Sequence, residues 1–364
     1  MAYVAVSGGR EAIENAEYLF KHCRAPEKSR ALQVEQIMEQ LHLAVDRVMS
    51  EGALYAPRLA ALAVKQASGD SLEAAFLLRA YRATLPRLGY TIPITTEKMR
   101  IRRRISAAFK DIPGGQILGP TPDYSLRLLD FELFEETTED FQRRAQDLLG
   151  RSASLPPLPT TFPKVVDLLR RENLLVEQHQ PDQDCNPLDI TREALTFPAQ
   201  RSAALQTLAR GETGGLLALA YSNMRGYGVV HPTVGELRVG TIPLVMAHPL
   251  TGDAETVGEV LVTEAEIIAH AESSDNGPQF TLGYGLCFGN NETKAIAMAV
   301  LDRSIQSTAP TAPSEDQEFV LQHVDGIESM GFCNHYKLPH YVTFQSELDR
   351  IRKSRNDYES GKLA

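Results

Sequence analysis

Apolar residues recur every three or four positions in the N-terminal part of the chain, a spacing that predicts amphipathic helices. The clearest stretch is 31–49, where the recurring positions are Val34, Ile37, Met38, Leu41, Val45, Val48 and Met49. Asp70 followed by Glu73 resembles a capping box that opens another helix. Residues 10–110 are therefore predicted to be mainly helical.

After Gly214 the pattern changes to short runs rich in Val and Leu that are broken by Gly and Pro, as in strands. The predicted strands are 216–221, 237–247, 257–262 and 280–288. A helical pattern returns at 291–304 and again from 344. The fold class is therefore predicted to be α+β, with a helical N-terminal region and a mixed or antiparallel sheet with helices in the C-terminal half.

Segments rich in Gly and Pro divide the chain into three predicted parts. A mainly helical N-terminal domain covers 1–150 and contains a Gly/Pro loop at 111–123. A Pro-rich crossing segment with helices covers 151–213. A β-rich domain that carries the Gly-rich strand and a C-terminal histidine pair covers 214–364.

Composition narrows the classes of function. The 364 residues carry a net charge of -10, so nucleic acid is not an expected partner. No apolar run is long enough to cross a bilayer and the N-terminus does not resemble a secretory leader, so a cytoplasmic protein without membrane contact is expected. The four cysteines are scattered without metal-binding spacing, and no iron–sulfur cluster is expected in this chain.

Two histidines near the C-terminus form the most suggestive local feature. His335 and His340 flank Leu338-Pro339, and a turn there would let both imidazoles face one point. Neutral imidazoles suit Zn, Fe or Ni, but two ligands under-fill a coordination shell. Further ligands would come from His323, Cys333, a partner chain or the substrate. The alternative is a pair of surface or hydrogen-bonded histidines.

A second feature is a Gly-rich strand followed by a helix start. Gly283, Gly285 and Gly289 precede a predicted helix that carries Lys294, an order typical of an anion site built from backbone N–H groups. Such glycines also occur where another backbone packs closely or where the chain turns. Both interpretations are open at this point.

A third feature is a dense basic run, in which five of the seven residues 98–104 are Lys or Arg on a helix predicted from Thr95 or Thr96 to about Lys110. Arginines pair with phosphate oxygens, and the Gly-Gly loop that follows can present N–H groups to the same oxygens. The predicted phosphate-binding residues here are Arg102, Arg103, Arg104, Lys110, Gly114, Gly115 and Gln116. The alternative is a solvated helix face that pairs with the acidic run 132–140.

No single carboxylate stands out as catalytic. Glu236, Glu292, Asp302 and Asp111 lie nearest to the Gly-rich features, and the last three are the weak candidates. A serine nucleophile elbow is absent, since the chain has no GxSxG.

Sequence blocks spread over nearly the whole chain resemble the PhnI family of carbon–phosphorus lyase subunits. They include Tyr3-Val-Ala-Val6 with Gly8-Gly9, Gln40-Leu-His-Leu-Ala-Val-Asp-Arg-Val-Met49, Phe76-Leu-Leu-Arg-Ala-Tyr-Arg82, Pro113-Gly-Gly-Gln-Ile-Leu-Gly-Pro-Thr121, Gly283-Tyr-Gly285 and Lys337-Leu-Pro-His-Tyr341. The distribution of these blocks marks a full-length member.

This resemblance implies a specific role in phosphonate breakdown. Such subunits act with PhnG, PhnH and PhnL to displace adenine from ATP by a phosphonate such as methylphosphonate, giving alpha-D-ribose 1-methylphosphonate 5-triphosphate. Alone they act as purine ribonucleosidases on ATP or GTP. They also pair with the radical-SAM subunit PhnJ, and the family's metal-site histidines correspond to His335 and His340, which implies zinc at a subunit interface. The alternative is a scaffold that mainly holds metal and docks PhnJ.

Overall fold

The computed structural model describes residues 9–24, 29–152, 159–176, 187–227, 232–271 and 277–361. Residues 1–7, where the alternation of Val4 and Val6 predicts a short strand, and residues 153–158 of the Pro-rich segment lie outside the described residues. The chain forms two compact units, each assembled from separated segments. Unit 1 comprises Met1–Thr84, Arg210–Gly215 and Leu321–Ala364, and unit 2 comprises Leu85–Ala209 and Leu216–Val320.

Most regular secondary structure in the described residues is helical, and four strands are also present. The helices are α1 (Arg10–His22), α2 (Val34–Gln40), α3 (His42–Gly52), α4 (Pro57–Gln66), α5 (Ser71–Arg82), α6 (Thr138–Ser152), α7 (Asp167–Arg171), α8 (Arg201–Arg210), α9 (Thr213–Ser222), α10 (Glu292–Ser304), α11 (Gln317–His323), α12 (Gly326–His335) and α13 (Tyr341–Glu359). The strands are β1 (Arg100–Ile105), β2 (Thr233–Ala247), β3 (Ala254–His270) and β4 (Phe280–Phe288). The predicted α+β class is confirmed.

The core of unit 1 is built by the apolar stripe that the sequence predicts. Ile37, Val45, Val48 and Met49 are buried, and they pack with three alanines and one valine of α4 and with Leu78. The predicted helix is interrupted at Leu41, whose backbone leaves the helical region and separates α2 from α3. The predicted cap of α5 is confirmed, because the Asp70 carboxylate accepts hydrogen bonds from the backbone N–H groups of Leu72 and Glu73.

Unit 2 is organised by an antiparallel sheet with strand order β1-β2-β3-β4. Of the two arrangements predicted for the sheet, mixed and antiparallel, the second is therefore found among the described residues. One face packs on α10, which Gly283 and Gly285 of β4 approach so closely that a Cβ would meet helix carbonyl oxygens. The other face carries rows of charged side chains, including Arg238 opposite Glu264.

Two predicted elements are wrong. The basic run forms strand β1 after a short 3-10 turn, Thr96–Lys98, and not a helix to Lys110. Pairing with β2, a segment more than a hundred residues away, overrides the local pattern. Residues 216–221, predicted as a strand, belong to helix α9. Short apolar runs do not distinguish a buried strand from a buried helix, which explains this second error.

Candidate functional site

The turn between α12 and α13 brings the two predicted metal-binding histidines together. His335 is the last residue of α12, and His340 precedes the first residue of α13. Their Nε2 atoms lie 2.8 Å apart and their ring centroids 4.5 Å apart. His340 is exposed and His335 is partly exposed, so neither ring belongs to the buried core.

The second ring nitrogen of His340 determines which nitrogen is free to bind a ligand. His340 Nδ1 lies 2.5 Å from the carbonyl oxygen of Leu338, which can only accept a hydrogen bond. Nδ1 therefore carries the proton, and Nε2 presents its lone pair toward His335, as in histidine metal ligands. Tetrahedral zinc with Zn–N bonds of 2.0–2.1 Å places two Nε2 atoms about 3.3 Å apart. The Nε2 atoms of His335 and His340 are about 0.5 Å closer than that.

The histidine pair supplies only part of a coordination shell. Across the described ranges, no group of three or more His, Cys, Asp or Glu side chains is placed to hold a metal ion. The pair therefore fits zinc as two ligands of a site that needs additional donors.

The Gly-Gly loop and Arg104 of the predicted phosphate site do lie together, but Arg104 is used to hold the loop. Its Nη1 donates to the carbonyl oxygens of Pro113 (2.6 Å) and Gly115 (3.0 Å), and its Nη2 donates to that of Pro163 (2.9 Å). Its Nε donates to Glu236 at 2.6 Å. Burial lowers the pKa of Arg104, with the Glu236 charge opposing that shift. This buried guanidinium thus has an extensive set of partners within the protein.

Arg103 points to the opposite face of the sheet, toward the start of α10. It donates to Leu118 O and to the Asp123 carboxylate, both at 2.6 Å, and it lies 3.1 Å from Glu292. Burial raises the pKa of Glu292; Arg103 opposes this shift and Asp123 adds to it. Arg103 and Glu292 therefore form a partly buried ion pair.

The other predicted phosphate-binding residues divide into an exposed and a buried group. Exposed are Arg102, Lys110, Gly114, Gly115 and Gln116; buried are Gly283, Gly285, Gly289 and Lys294. The Gln116 side-chain amide donates to the carbonyl oxygens of Phe109 and Lys110, which closes the loop. The exposed group can be reached from solvent, whereas the buried group lies in the interior of unit 2.

The three weak catalytic candidates are not brought together by α10. Asp302 in its last turn binds Arg201 through both carboxylate oxygens and accepts the backbone N–H of Tyr284. Glu292, in its first turn, lies ten residues earlier, or about 15 Å along a helix. Asp111 is exposed.

A buried charged layer lies on the sheet face opposite α10, and of its members only Glu236 and Arg104 were singled out from the sequence. In one row Arg104 pairs with Arg238 and Arg238 with Glu264; in the next, Glu236 pairs with Glu266 and Glu266 with Tyr284. The sequence does contain a signal for this layer. Glu236 and Arg238 on one strand, and Glu264 and Glu266 on the next, are each two residues apart, and side chains two residues apart on a strand lie on the same face of the sheet.

Lys164 lies between two carboxylates of β3, those of Glu264 and Glu266. Its Nζ lies 2.5 Å from Glu264 Oε2 and 3.1 Å from Glu266 Oε1. Burial opposes ionisation of Glu264, but Lys164 and hydrogen bonds from Lys164, Thr96 and Tyr284 outweigh it, so the pKa of Glu264 is lowered. At Glu266 burial prevails and the Glu264 charge adds to it, so the pKa is raised. Opposite pKa shifts in two neighbouring carboxyl groups are typical of acid–base pairs.

Comparison with known proteins decides the family. Residues 2–358 match the model of the family described as "Bacterial phosphonate metabolism protein (PhnI)". The chain belongs to the PhnI family. The PhnI match covers all the blocks that carried the resemblance and leaves out only Met1 and residues 359–364.

Three curated relatives agree with this PhnI assignment. The chain is 55% identical to "Putative C-P lyase subunit protein HtxH" of Stutzerimonas stutzeri, over 98% of this chain and 96% of that protein. It is 46% and 47% identical to proteins of Rhizobium meliloti (strain 1021) and Escherichia coli (strain K12) named "Alpha-D-ribose 1-methylphosphonate 5-triphosphate synthase subunit PhnI". These two alignments cover 98% and 99% of the chain, and 96% and 100% of the relatives.

In this PhnI chain, none of the helices in the described ranges combines the length and the apolar character needed to cross a membrane.

Proposed function

We propose that this chain is the subunit of a carbon–phosphorus lyase complex that, with PhnG, PhnH and PhnL, displaces adenine from ATP by methylphosphonate. The product is alpha-D-ribose 1-methylphosphonate 5-triphosphate. The observation that carries the proposal is the 46–47% identity, over almost the whole of both chains, to two proteins named as subunits of that synthase. Alone, the chain acts as a purine ribonucleosidase on ATP or GTP, with water in place of the phosphonate.

The proposed reaction defines what the site must supply. Cleavage of an N-glycosidic bond passes through an oxocarbenium-like state, and the purine must receive a proton as it leaves. Cationic groups must also hold the triphosphate and the phosphonate. Among the residues predicted for the phosphates, Arg102, Lys110, Gly114 and Gly115 are exposed and therefore the most accessible to a ligand.

Zinc is the proposed metal, and His335 and His340 are its proposed ligands in this chain, with the remaining ligands provided by a partner chain or by substrate. Bound zinc supplies a Lewis acid or a more acidic water molecule. The exposed, two-ligand geometry of the pair supports a site completed at an interface with PhnJ. The same incomplete set favours a second candidate function, in which the chain mainly holds metal and docks PhnJ.

Release of purine base tests the proposed catalytic role. The purified chain incubated with ATP or GTP is expected to yield free adenine or guanine, measured by chromatography. With PhnG, PhnH, PhnL and methylphosphonate, ATP is expected to give adenine and the ribose methylphosphonate triphosphate, followed by phosphorus NMR. Absence of purine release from folded protein, both alone and with these partners, contradicts the catalytic role and supports the scaffold. Inosine cleaved faster than GTP contradicts a site for triphosphates.

A further inference from the structure

A cavity of about 220 Å³ opens in unit 2 beside strands β3 and β4. Its polar lining includes Arg170, Arg201, Glu266 and Tyr284, and its apolar lining includes Leu205 and Leu282. Binding sites for drug-sized ligands usually measure about 300–1,000 Å³. The cavity therefore accommodates a fragment of a nucleoside triphosphate and not the whole molecule.

Glu266 is the acidic group of this cavity. It lies on β3 between Glu236 of β2 and Tyr284 of β4, and it is 8% exposed. Its Oε1 is 3.1 Å from Lys164 Nζ, whereas its Oε2 is buried and accepts no hydrogen bond from the described residues. A buried carboxylate oxygen without a partner is costly, and protonation or a ligand removes that cost.

The groups around Glu266 favour its protonated form. Burial raises its pKa; the negative charges of Glu264 on the same strand and Glu236 on β2 raise it further, and Lys164 opposes them. Tyr284, facing it from β4, has a pKa raised well above the usual value by burial and by Glu264, and is therefore uncharged. Of the two arginines lining the cavity, Arg201 is paired with Asp302 and Arg170 with Asp167.

The mixed lining suits a purine ring better than a phosphate group. Apolar side chains pack against the faces of a planar ring, guanidinium groups stack on aromatic surfaces, and a protonated carboxyl donates to a ring nitrogen. A phosphate dianion would instead face the carboxyl group together with arginines already paired to aspartates.

We infer that this cavity receives the purine ring of the nucleoside triphosphate, and that Glu266 gives its proton to the leaving base. The inference rests on the function proposed above and assigns the general acid of that reaction. Neither Glu266 nor the cavity was singled out by sequence motifs.

The carboxyl proton of Glu266 moves to a purine ring nitrogen while the C1′–N9 bond breaks, and its electron pair stays with the base. An oxygen of the phosphonate, or of water in the isolated chain, forms the new bond to C1′. Glu266 is left ionised and regains a proton from solvent; when water attacks, that molecule also releases one proton. General acids of this kind contribute about 100- to 10,000-fold to rate.

Replacement of the acid by its amide tests the inference with two substrates. Glu266→Gln keeps shape and a hydrogen-bond donor but has no transferable proton. Its kcat for purine release from GTP is expected to fall about 100- to 1,000-fold with KM changed only a few-fold. With 7-methyl-GTP, whose base is already cationic and leaves without protonation, the loss is expected to be less than about 10-fold.

The pH profile gives an independent readout. Because the protonated form of Glu266 is the working form, wild-type activity on GTP is expected to fall as pH rises through its raised pKa. That descending limb is expected to be absent in Glu266→Gln. The control is Glu259→Gln, an exposed carboxylate on the same strand, which is expected to behave like wild type.

Each outcome supports or overturns the inference. Equal losses on GTP and 7-methyl-GTP, or no loss on GTP, overturn the acid role. Equilibrium dialysis is expected to show adenine bound by both wild type and Glu266→Gln. If inorganic phosphate inhibits purine release from GTP and adenine does not, the purine assignment is overturned. Lack of purine release by wild type, both alone and with PhnG, PhnH and PhnL, refutes the proposed function itself. A wild type that releases purine alongside an equally active Glu266→Gln refutes only this inference.

Discussion

For an individual side chain, what its polar atoms contact determines its chemistry. The carbonyl oxygen of Leu338 fixes the tautomer of His340 and leaves Nε2 able to bind a ligand. Glu264 and Glu266 are two residues apart on one strand, yet their pKa values shift in opposite directions because only Glu264 receives hydrogen bonds from Thr96 and Tyr284. Residue type alone does not distinguish these two carboxyls.

Removal of either imidazole is expected to lower the zinc content of the assembled complex. His335→Ala and His340→Ala each delete one of the two proposed ligands, while the chain stays soluble because neither side chain is part of the buried core. Zinc is measured by mass spectrometry against protein concentration. His22→Ala, at an exposed histidine of α1, is the matched control and should retain the metal. Unchanged zinc in both variants of the pair would show that the assignment is wrong.

At the level of elements, the Gly-rich strand packs against a helix. A Cβ on Gly283 would lie 2.0 Å from the carbonyl oxygen of Ala299, and one on Gly285 would lie 2.2 Å from that of Ala295. The absence of side chains lets the α10 backbone rest directly on β4. Of the two possibilities open for these glycines, close approach of another backbone is what the structure shows.

Alanine at either glycine is expected to destabilise the protein. In Gly283→Ala and Gly285→Ala the added methyl group forces strand and helix apart, and overpacking of this kind costs about 1–3 kcal/mol or more. Denaturant unfolding measures the loss. Gly258→Ala is the matched control, because Gly258 also lies on a strand and has nothing within 4 Å of an added Cβ. Equal stability of all three variants would contradict the close packing.

At the scale of the whole molecule, segments far apart in sequence are joined within each unit by buried charges. In unit 1 the Asp325 carboxylate lies 2.7 Å from Arg79 and 3.4 Å from Arg210. It also accepts the backbone N–H of Ile327 at the start of α12. One aspartate thus connects all three segments of unit 1.

Loss of this aspartate is expected to destabilise unit 1. Asp325→Ala leaves two largely buried guanidinium groups without their partner and removes the cap of α12, and the first effect alone costs about 3–5 kcal/mol. Urea unfolding followed by circular dichroism measures the change. Asp349→Ala removes an exposed aspartate that pairs with Arg352 and should leave the midpoint almost unchanged. A similar midpoint for both variants would refute the connecting role.

Local interactions let the sequence alone determine much of this protein. The apolar stripe of 31–49, the cap at Asp70 and the strands near 237–247 and 280–288 are recognisable from patterns of residues a few positions apart. The His335/His340 turn has the same origin, since Pro339 prevents a continuous helix and five residues suffice to bring the rings together.

Tertiary structure alone decided the remainder. Antiparallel pairing placed the basic run in a strand, set Glu266 between Glu236 and Tyr284, and buried a layer of charges whose members lie tens to more than a hundred residues apart. The pKa of each carboxyl depends on burial and on charges only a few ångströms away, and the sheet register fixes both. No local pattern contains that register, so neither the cavity nor its acid was predictable from sequence.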